Sequence, residues 1–233
     1  MNYLSTIRYG NKQVSLLDTF IYVTVDPGGG ASKANATSQT DKVGYTVGAA
    51  TIESDFLILD WNEEYMEVTE MVTKLYSLHR RWRPRLIGVE RMMFLSGYMY
   101  AEMQRRGKIL DIVTLAHKGR NKAERIKAFI PFLSKTYFMR TVAEAAQKSL
   151  HRWHETMKHG DDGADSLAYF YDVAIPPTLN DLMSHRAERR QWAREERLDQ
   201  LDPRTKAEAK AIGRFYERTR GPASEFTDSF TDP

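Results

Sequence analysis

The sequence predicts one mixed α/β domain over residues 1–178, followed by a charged helical extension with a disordered end over residues 179–233. Three observations predict this organisation. The β-branched and aromatic run Thr19–Val25 is typical of a strand buried on both faces. Two further apolar runs follow it, and from Glu63 the apolar spacing changes to the period of a helix. After about residue 178, charged residues dominate and large apolar side chains become rare.

The composition excludes several classes of protein. A chain of 233 residues that is 42% hydrophobic can form a core, so wholesale disorder is excluded. The absence of cysteine excludes a disulfide scaffold, a cysteine nucleophile and a thiolate metal site. We expect no membrane partner, because no apolar run approaches the roughly 18 residues of a spanning helix, and no secretory signal is visible. The net charge of +3 does not by itself indicate nucleic acid.

The predicted sheet begins with an antiparallel meander of three strands. Val43–Thr51 and Phe56–Trp61 are joined by a short polar turn and follow the first strand, which Pro27 and the next glycines end. We interpret residues 1–18 as a polar lead-in and predict a flexible loop at 31–42. The other predicted elements are helices at 63–83, 97–106, 122–133, 141–158 and 162–176, with short strands at 86–89 and 111–115.

Acidic residues stand at the ends of predicted elements. Asp26 ends the first strand, Glu90 ends a later strand, and Asp162 and Asp165 open a helix on a shared face. The carboxyl ends of parallel strands gather at one edge of a sheet, where clustered carboxylates repel unless a cation neutralises them. Oxygen ligands select Mg²⁺ or Mn²⁺. Two such ions about 3.5–4 Å apart suit phosphodiester hydrolysis.

Each acidic residue also has an ordinary structural interpretation. An aspartate before Pro-Gly, such as Asp26, is equally typical of a turn, and Glu90 is compatible with an exposed strand end. Asp161 and Asp162 stand where aspartates commonly cap a helix. The order and setting of these residues, rather than any one of them, therefore carry the prediction of a site.

Four sequence segments resemble the nuclease domain of phage large terminases. They are Val-Asp-Pro-Gly-Gly-Gly at 25–30, Ile-Gly-Val-Glu at 87–90, Lys-Gly-Arg-Asn-Lys-Ala-Glu-Arg-Ile at 118–126 with Phe-Ile-Pro-Phe-Leu at 129–133, and His-Gly-Asp-Asp-Gly-Ala-Asp-Ser-Leu-Ala-Tyr at 159–169. The segments occur in the family's order, and the resemblance covers roughly residues 19–175.

The resemblance implies an RNase H-like fold, related to Holliday-junction resolvases, and two-metal cleavage of concatemeric double-stranded DNA with little sequence specificity. Asp26 would bridge two Mg²⁺ or Mn²⁺ ions, Glu90 would bind one of them and Asp162 the other. Resolvases carry Asp-x-x-Asp-Ala-Leu-Ala at this helix, and the spacing of Asp162 and Asp165 matches it. Asp165 would then be a fourth carboxylate ligand, and Asp161 is a less favoured one.

The family also implies partners and a location. The expected partners are double-stranded DNA, an ATPase domain or chain, the portal and the small terminase subunit, in the cytoplasm of an infected bacterial host. The ATPase loop Gly-x-x-x-x-Gly-Lys-Ser/Thr has no counterpart in this sequence. The glycines of Gly28–Lys33 are in the wrong order for it, and we interpret them as an active-site loop. We therefore expect an isolated nuclease domain or a separate ATPase chain.

Basic residues lie between a predicted strand and the next helix. Lys118, Arg120, Lys122 and Arg125 are predicted to contact DNA phosphates beside the metal ions, although a solvated helix face would have the same composition. His159, just before the acidic helix, is predicted to contact a substrate phosphate or a metal-bound water.

Two other functions remain open from the sequence. A junction resolvase would require a dimer and a preference for branched DNA. A non-catalytic DNA-binding or docking module of the packaging motor would be favoured by carboxylates that fail to converge or bind no metal.

Overall fold

The computed structural model describes residues 1–28, 41–91, 95–116, 119–156 and 161–199. The strands are β1 (Thr6–Tyr9), β2 (Lys12–Ser15), β3 (Phe20–Asp26), β4 (Val43–Ala50), β5 (Phe56–Glu64), β6 (Leu86–Glu90), β7 (Ile112–Leu115) and β8 (Thr136–Phe138). The helices are α1 (Val68–Trp82), α2 (Leu95–Arg105), α3 (Lys122–Phe129), α4 (Arg140–Arg152), α5 (Asp162–Val173) and α6 (Leu179–Asp199).

The central sheet, within the described residues, has six strands in the order β7-β6-β3-β4-β5-β8. β3, β4 and β5 form the predicted antiparallel meander, while β6 and β7 continue the sheet in parallel beyond β3, and β8 pairs in parallel with β5. One core packs α1 and α2 against the sheet, and a second core packs α3, α4 and α5 against its opposite face. The predicted mixed sheet, an antiparallel meander extended by parallel strands and flanked by helices, is confirmed.

β3 occupies the centre of the sheet, and all seven of its residues are buried. Its side chains alternate between the two cores, as the pleat of a strand requires. Ile21, Val23 and Val25 belong to the core with α1 and α2. Phe20 and Tyr22 belong to the core with α5, so Asp26 at the end of β3 lies on the α5 face.

The register between β3 and β6 brings two of the predicted acidic residues together. The strands are parallel, and their last ladder pair is Val25 with Val89. Asp26 and Glu90 each follow this pair by one residue. They therefore lie side by side at the carboxyl edge of the sheet, and neighbouring strands are only about 4.8 Å apart.

The first turn of α5 rests directly on β4 and β5. A Cβ atom added to Gly44 would lie 2.2 Å from the carbonyl oxygen of Asp162, so the two backbones are in contact. One residue further along α5, the Trp61 Nε1–H donates a 3.1 Å hydrogen bond to the Gly163 carbonyl. These contacts hold the start of α5 against the sheet, beside the end of β3.

Buried hydroxyl groups hold the next turn of α5. Thr24 Oγ1 donates a 2.7 Å hydrogen bond to the Ser166 carbonyl, and the Thr46 and Ser166 hydroxyls are 2.9 Å apart. Ser166 Oγ in turn donates to the Gly163 carbonyl at 2.8 Å. Because buried hydroxyls without partners are costly, this network favours one position of α5 on the sheet.

Residues 1–18, interpreted from the sequence as a polar lead-in, contain regular secondary structure. They form the antiparallel hairpin of β1 and β2, which turns at Gly10 with φ +54°. Ile7 and Tyr9 are buried against the core that contains α1. The alternation of apolar and polar residues in β1 is a strand pattern, but the segment is short and mostly polar.

Several predicted boundaries shift for local reasons. β5 continues to Glu64, because its polar end still pairs with β4. α1 begins at Val68 after a capping box, in which the Glu67 N–H donates to Glu70 at 2.8 Å. α3 ends at Phe129, and a 3₁₀ turn containing Pro131 follows, since proline offers no N–H to an α-helix.

The chain divides into two units, Met1–Ser184 and His185–Pro233. The first contains the sheet, and the structure describes the second as far as Asp199. The predicted division after residue 178 stays a prediction. The predicted disordered end and most of the predicted 31–42 loop lie outside the described residues. In the described ranges, no helix has both the length and the apolar character that a bilayer crossing requires.

We expect Gly44→Ala to destabilise the fold, because its methyl group would push into the backbone of α5. Overpacking of this kind costs about 1–3 kcal/mol, which corresponds to a fall of roughly 2–12 °C in melting temperature for a chain of this size. Thermal unfolding followed by circular dichroism measures the change. Gly97→Ala is the matched control, because no atom of the described residues outside its own stretch of helix lies within 4 Å of the added Cβ. An equal fall in both variants would contradict the proposed contact.

Candidate active site

Three carboxylates converge at the carboxyl edge of the sheet. Asp26 at the end of β3, Glu90 at the end of β6 and Asp165 in the first turn of α5 each offer an oxygen, and these oxygens lie within 4.8 Å of one another. Asp26 and Asp165 are buried, and Glu90 is half-buried. Asp162 is buried as well, three residues earlier in α5. Residues far apart in sequence thus form one acidic cluster.

The ammonium group of Lys122 lies within this cluster. Its Nζ is 2.9 Å from Asp161, 3.1 Å from Asp162, 3.3 Å from Asp26 and 3.8 Å from Asp165, each measured to a carboxylate oxygen. The side chain comes from the first residue of α3. It partly neutralises a group of charges that would otherwise repel one another.

A second cation, Arg125, lies one turn further along α3. Its guanidinium pairs with both carboxylate oxygens of Asp165, and Nη2 is 3.8 Å from Glu90 Oε1. The same group lies 4.7 Å from the centre of the Tyr169 ring. Arg125 is only 3% exposed. It is therefore a fixed internal charge behind the carboxylates.

A capping box at the start of α3 orients both cations. Asn121 accepts a hydrogen bond from the Glu124 N–H at 2.8 Å, and Glu124 accepts one from the Asn121 N–H at 2.9 Å. Because Lys122 and Arg125 are three residues apart, they project from the same face of the helix. The local sequence therefore directs two positive charges towards α5.

Backbone N–H groups hold two of the carboxylates. The Gly28 N–H donates to Asp26 Oδ1 at 3.1 Å, and the Lys42 N–H donates to Asp162 Oδ2 at 2.9 Å. Gly28 has a φ of +51°, a left-handed conformation that glycine adopts without strain. Each of these bonds occupies one oxygen and leaves the other facing the cluster.

Burial changes the acidity of the cluster. Burial raises the pKa of Asp26 to about 7, with Lys122 opposing the shift and Glu90 adding to it. Burial also raises the pKa values of Asp162 and Asp165 to about 6, and the charge of Asp26 contributes to both. The pKa of Glu90 is raised by burial and by the Asp165 charge. The folded protein therefore retains protons that free carboxyl groups would release.

The donor set fits a divalent cation. Among the described residues, the carboxylates of the cluster outnumber the two cations that touch them, and the donors are all oxygens, as Mg²⁺ and Mn²⁺ prefer. The Lys122 ammonium already occupies the space between them, so this space accepts a positive charge. Asp26, Glu90, Asp162 and Asp165 are the side chains that would hold the ions.

Asp161 belongs to the cluster through its contact with Lys122. It stands at the N-cap of α5, yet its side chain makes no capping hydrogen bond there. The sequence left open that Asp161 caps the helix, but its side chain does not do so. Its oxygen faces the Lys122 ammonium at 2.9 Å instead.

The residues predicted to contact DNA occupy different positions. Lys122 is one-third exposed at the mouth of the cluster, while Arg120 pairs with Asp172 at 2.5 Å. Arg125 is buried among the carboxylates, as described above. Lys118 and His159 lie outside the described residues. The assignment of these side chains to DNA stays a prediction.

Tyr169 also belongs to the site, although no sequence motif indicated a role for it. This residue is buried, shares a hydrogen bond with Glu90 and lies against Arg125. Its position in the sequence could have indicated this, because Tyr169 follows Asp165 by one helical turn and therefore lies on the same face of the helix. Asp172, the partner of Arg120, lies one turn further along the same face.

An open cleft of about 660 Å³ gives access to the cluster. Most of the residues that line it have polar or charged side chains. The residues that line it are Asp26, Gly28, Asp41, Glu90, Gly119, Arg120, Asn121, Lys122, Arg125, Asp162 and Asp165. The cleft is therefore compatible with a polar substrate that approaches from solvent.

Comparisons with known proteins find similarity at the level of structure. No family model matches the sequence, and no curated protein matches it. The large terminase nuclease from thermophilic phage G20c is 14% identical, with 74% of this chain and 93% of that chain covered and a TM-score of 0.45. The yeast mitochondrial Holliday junction resolvase is 16% identical, with 75% and 85% covered and a TM-score of 0.41. The fowlpox virus Holliday junction resolvase is 11% identical, with 66% and 99% covered and a TM-score of 0.39.

We expect the metal-free protein to be less stable at pH 8 than at pH 5.5. The pKa of Asp26 rises from 3.8 to about 7 on folding, and those of Asp162 and Asp165 rise to about 6, so these groups bind more protons in the folded state in this window. They outweigh the opposite contribution of His79, whose pKa burial lowers to about 4. The free energy of unfolding therefore falls as pH rises. The loss should be on the order of 5 °C in melting temperature, measured in EDTA.

Asp26→Asn should make this difference smaller, because it removes one of the groups that bind the extra protons. Glu144→Gln, at an exposed carboxylate in α4, is the control and should keep the difference of the unmodified chain. A melting temperature that rises from pH 5.5 to pH 8 would contradict the expectation.

Proposed function

We propose that this chain is a metal-dependent nuclease that hydrolyses phosphodiester bonds in DNA. The observation that carries the proposal is the convergence of Asp26, Glu90 and Asp165 within 4.8 Å at the carboxyl edge of the sheet. Strand ends of this kind are where α/β proteins form their sites. An all-oxygen set of buried carboxylates is suited to the divalent ions that phosphodiester hydrolysis uses.

The protein's own residues would hold and orient the site. Asp26 and Glu90 face each other because of the strand register, and the first turn of α5 supplies Asp162 and Asp165 from the side. Arg125 and Tyr169 position Asp165 and Glu90 from behind. When bound, two Mg²⁺ or Mn²⁺ ions would activate the attacking water and stabilise the leaving oxygen.

The more specific proposal is an endonuclease of a viral packaging terminase that cuts concatemeric double-stranded DNA with little sequence specificity. The four sequence segments that resemble terminase nucleases support it. The partners proposed with this function are an ATPase domain or chain, the portal and the small terminase subunit. The proposed location is the cytoplasm of an infected bacterial host. Contacts that fall mainly on phosphates would account for low specificity.

A Holliday-junction resolvase is the second candidate. It is supported by Asp162-Gly-Ala-Asp165-Ser-Leu-Ala, whose spacing matches the resolvase pattern. The substrate distinguishes the two candidates, since a resolvase cleaves four-way junctions in preference to linear duplexes. A non-catalytic docking module is less favoured, because the carboxylates converge.

We expect the full chain to nick and linearise plasmid DNA in Mn²⁺ or Mg²⁺ and to be inactive in EDTA. Asp26→Ala should reduce the cleavage rate by at least about 100-fold, because it removes a central ligand. Agarose electrophoresis of plasmid over time measures both. Glu144→Ala, an exposed carboxylate in α4, is the control for loss of a negative charge. Cleavage that survives in EDTA or in Asp26→Ala would overturn the proposal.

A junction substrate tests the two candidates against each other. We expect a packaging nuclease to cleave a linear duplex and a four-way junction of the same sequence at rates within about threefold, because it contacts phosphates rather than branch geometry. Symmetrical cleavage of the junction, with the linear duplex left intact, would favour the resolvase instead. Denaturing electrophoresis of end-labelled strands gives both results.

A further inference from the structure

We propose that Lys122 is an exchangeable internal cation, whose ammonium neutralises the carboxylate cluster in the metal-free protein and leaves it when divalent ions bind. The inference rests on the proposed function, because it concerns how the same site is maintained before metal binding. It assigns Lys122 a positioning role towards the carboxylates, in addition to any contact with substrate.

The surroundings of Lys122 are those of a bound cation. Carboxylate oxygens of four aspartates lie 2.9–3.8 Å from its Nζ. These four are Asp26, Asp161, Asp162 and Asp165. Lys122 donates hydrogen bonds to Asp26 and Asp162, whereas its contacts with Asp161 and Asp165 are ion pairs. The charge of the group, in addition to its hydrogen bonds, therefore explains its location.

Lys122 and Arg125 differ in how firmly they are held. Arg125 is 3% exposed, pairs with both oxygens of Asp165 and lies against the Tyr169 ring. The Lys122 side chain is one-third exposed and lines the open cleft. A lysine is a point charge on a flexible stem, whereas a paired arginine is rigid. Lys122 is therefore the cation that can leave without breaking the core.

A divalent ion and the ammonium group would compete for the same oxygens. Oxygen ligands lie about 2.0–2.6 Å from Mg²⁺ or Ca²⁺, so an ion bound to Asp26 and Asp162 would be a close neighbour of the Lys122 ammonium. Like charges at such a distance repel strongly within a protein. The cleft offers the displaced side chain a route to solvent. Occupancy by one cation should therefore exclude the other.

Calorimetric titration of the full chain with Mn²⁺, without DNA, tests the competition. Lys122→Met should bind Mn²⁺ about tenfold or more tightly than the unmodified chain, since it removes the competing charge. Without metal it should melt at a lower temperature, and Mn²⁺ should raise its melting temperature further than that of the unmodified chain. Lys127→Met is the matched control, because Lys127 lies in the same helix and pairs with the exposed Glu155. It should bind Mn²⁺ like the unmodified chain.

Lysine labelling of the unmodified chain provides a second measurement that does not depend on a variant folding. Acetylation of Lys122 by an excess of acetic anhydride, measured by mass spectrometry, should become at least about threefold faster with Mn²⁺, as the side chain moves into the cleft. Lys127 should react at the same rate in both conditions. An unchanged or slower rate at Lys122 would overturn the exchange.

The outcomes separate this inference from the proposed function. Absence of Mn²⁺ binding in both the unmodified chain and folded Lys122→Met would overturn both. If the unmodified chain binds Mn²⁺ and folded Lys122→Met binds it with equal or lower affinity, the exchange alone would be overturned. If only Lys122→Met binds Mn²⁺, the exchange is overturned, because the lysine then blocks the site instead of leaving it.

Discussion

Electrostatic repulsion among carboxylates is the constraint on which the candidate site depends. Asp26, Asp162 and Asp165 are buried around the Lys122 ammonium, and burial raises the pKa of each. Such a cluster is costly unless positive charge accompanies it. In the metal-free protein that charge comes from α3, through Lys122 and Arg125. The stability of the carboxyl edge of the sheet and its capacity to hold a cation therefore have a common origin.

The two cations of α3 both neutralise the carboxylates, but they differ in burial and in how firmly they are held. Arg125 is buried, paired in two directions and packed on an aromatic ring, so it is part of the core. Lys122 is partly exposed and lies where the carboxylates meet the cleft. One cation stabilises the fold permanently, and the other suits a site whose charge changes when ions and a phosphodiester substrate bind. The proposed nuclease activity and the proposed exchange of Lys122 both follow from this arrangement.

Much of the fold was predictable because its signals are local. The run that forms β3, the alternation of the meander and the helical spacing of α1 each reflect which side chains are buried within one element. The hairpin of β1 and β2 was not predicted, because its strands are short and mostly polar, and only packing on the rest of the protein buries Ile7 and Tyr9. The boundary at Glu64 was missed for a similar reason, since pairing with β4 extends β5 beyond its apolar part.

The sequence by itself determined which residue types could form the site and where they stand on their elements: acidic residues at the ends of β3 and β6 and at the start of α5. Only the tertiary structure decided how these residues meet. The parallel register brings Asp26 beside Glu90, and Gly44 lets α5 approach the sheet closely enough to add Asp162 and Asp165. It also decided that Arg125 is buried and pairs with Asp165. Burial and charge pairing depend on neighbours distant in sequence, and a local pattern contains no distances between elements.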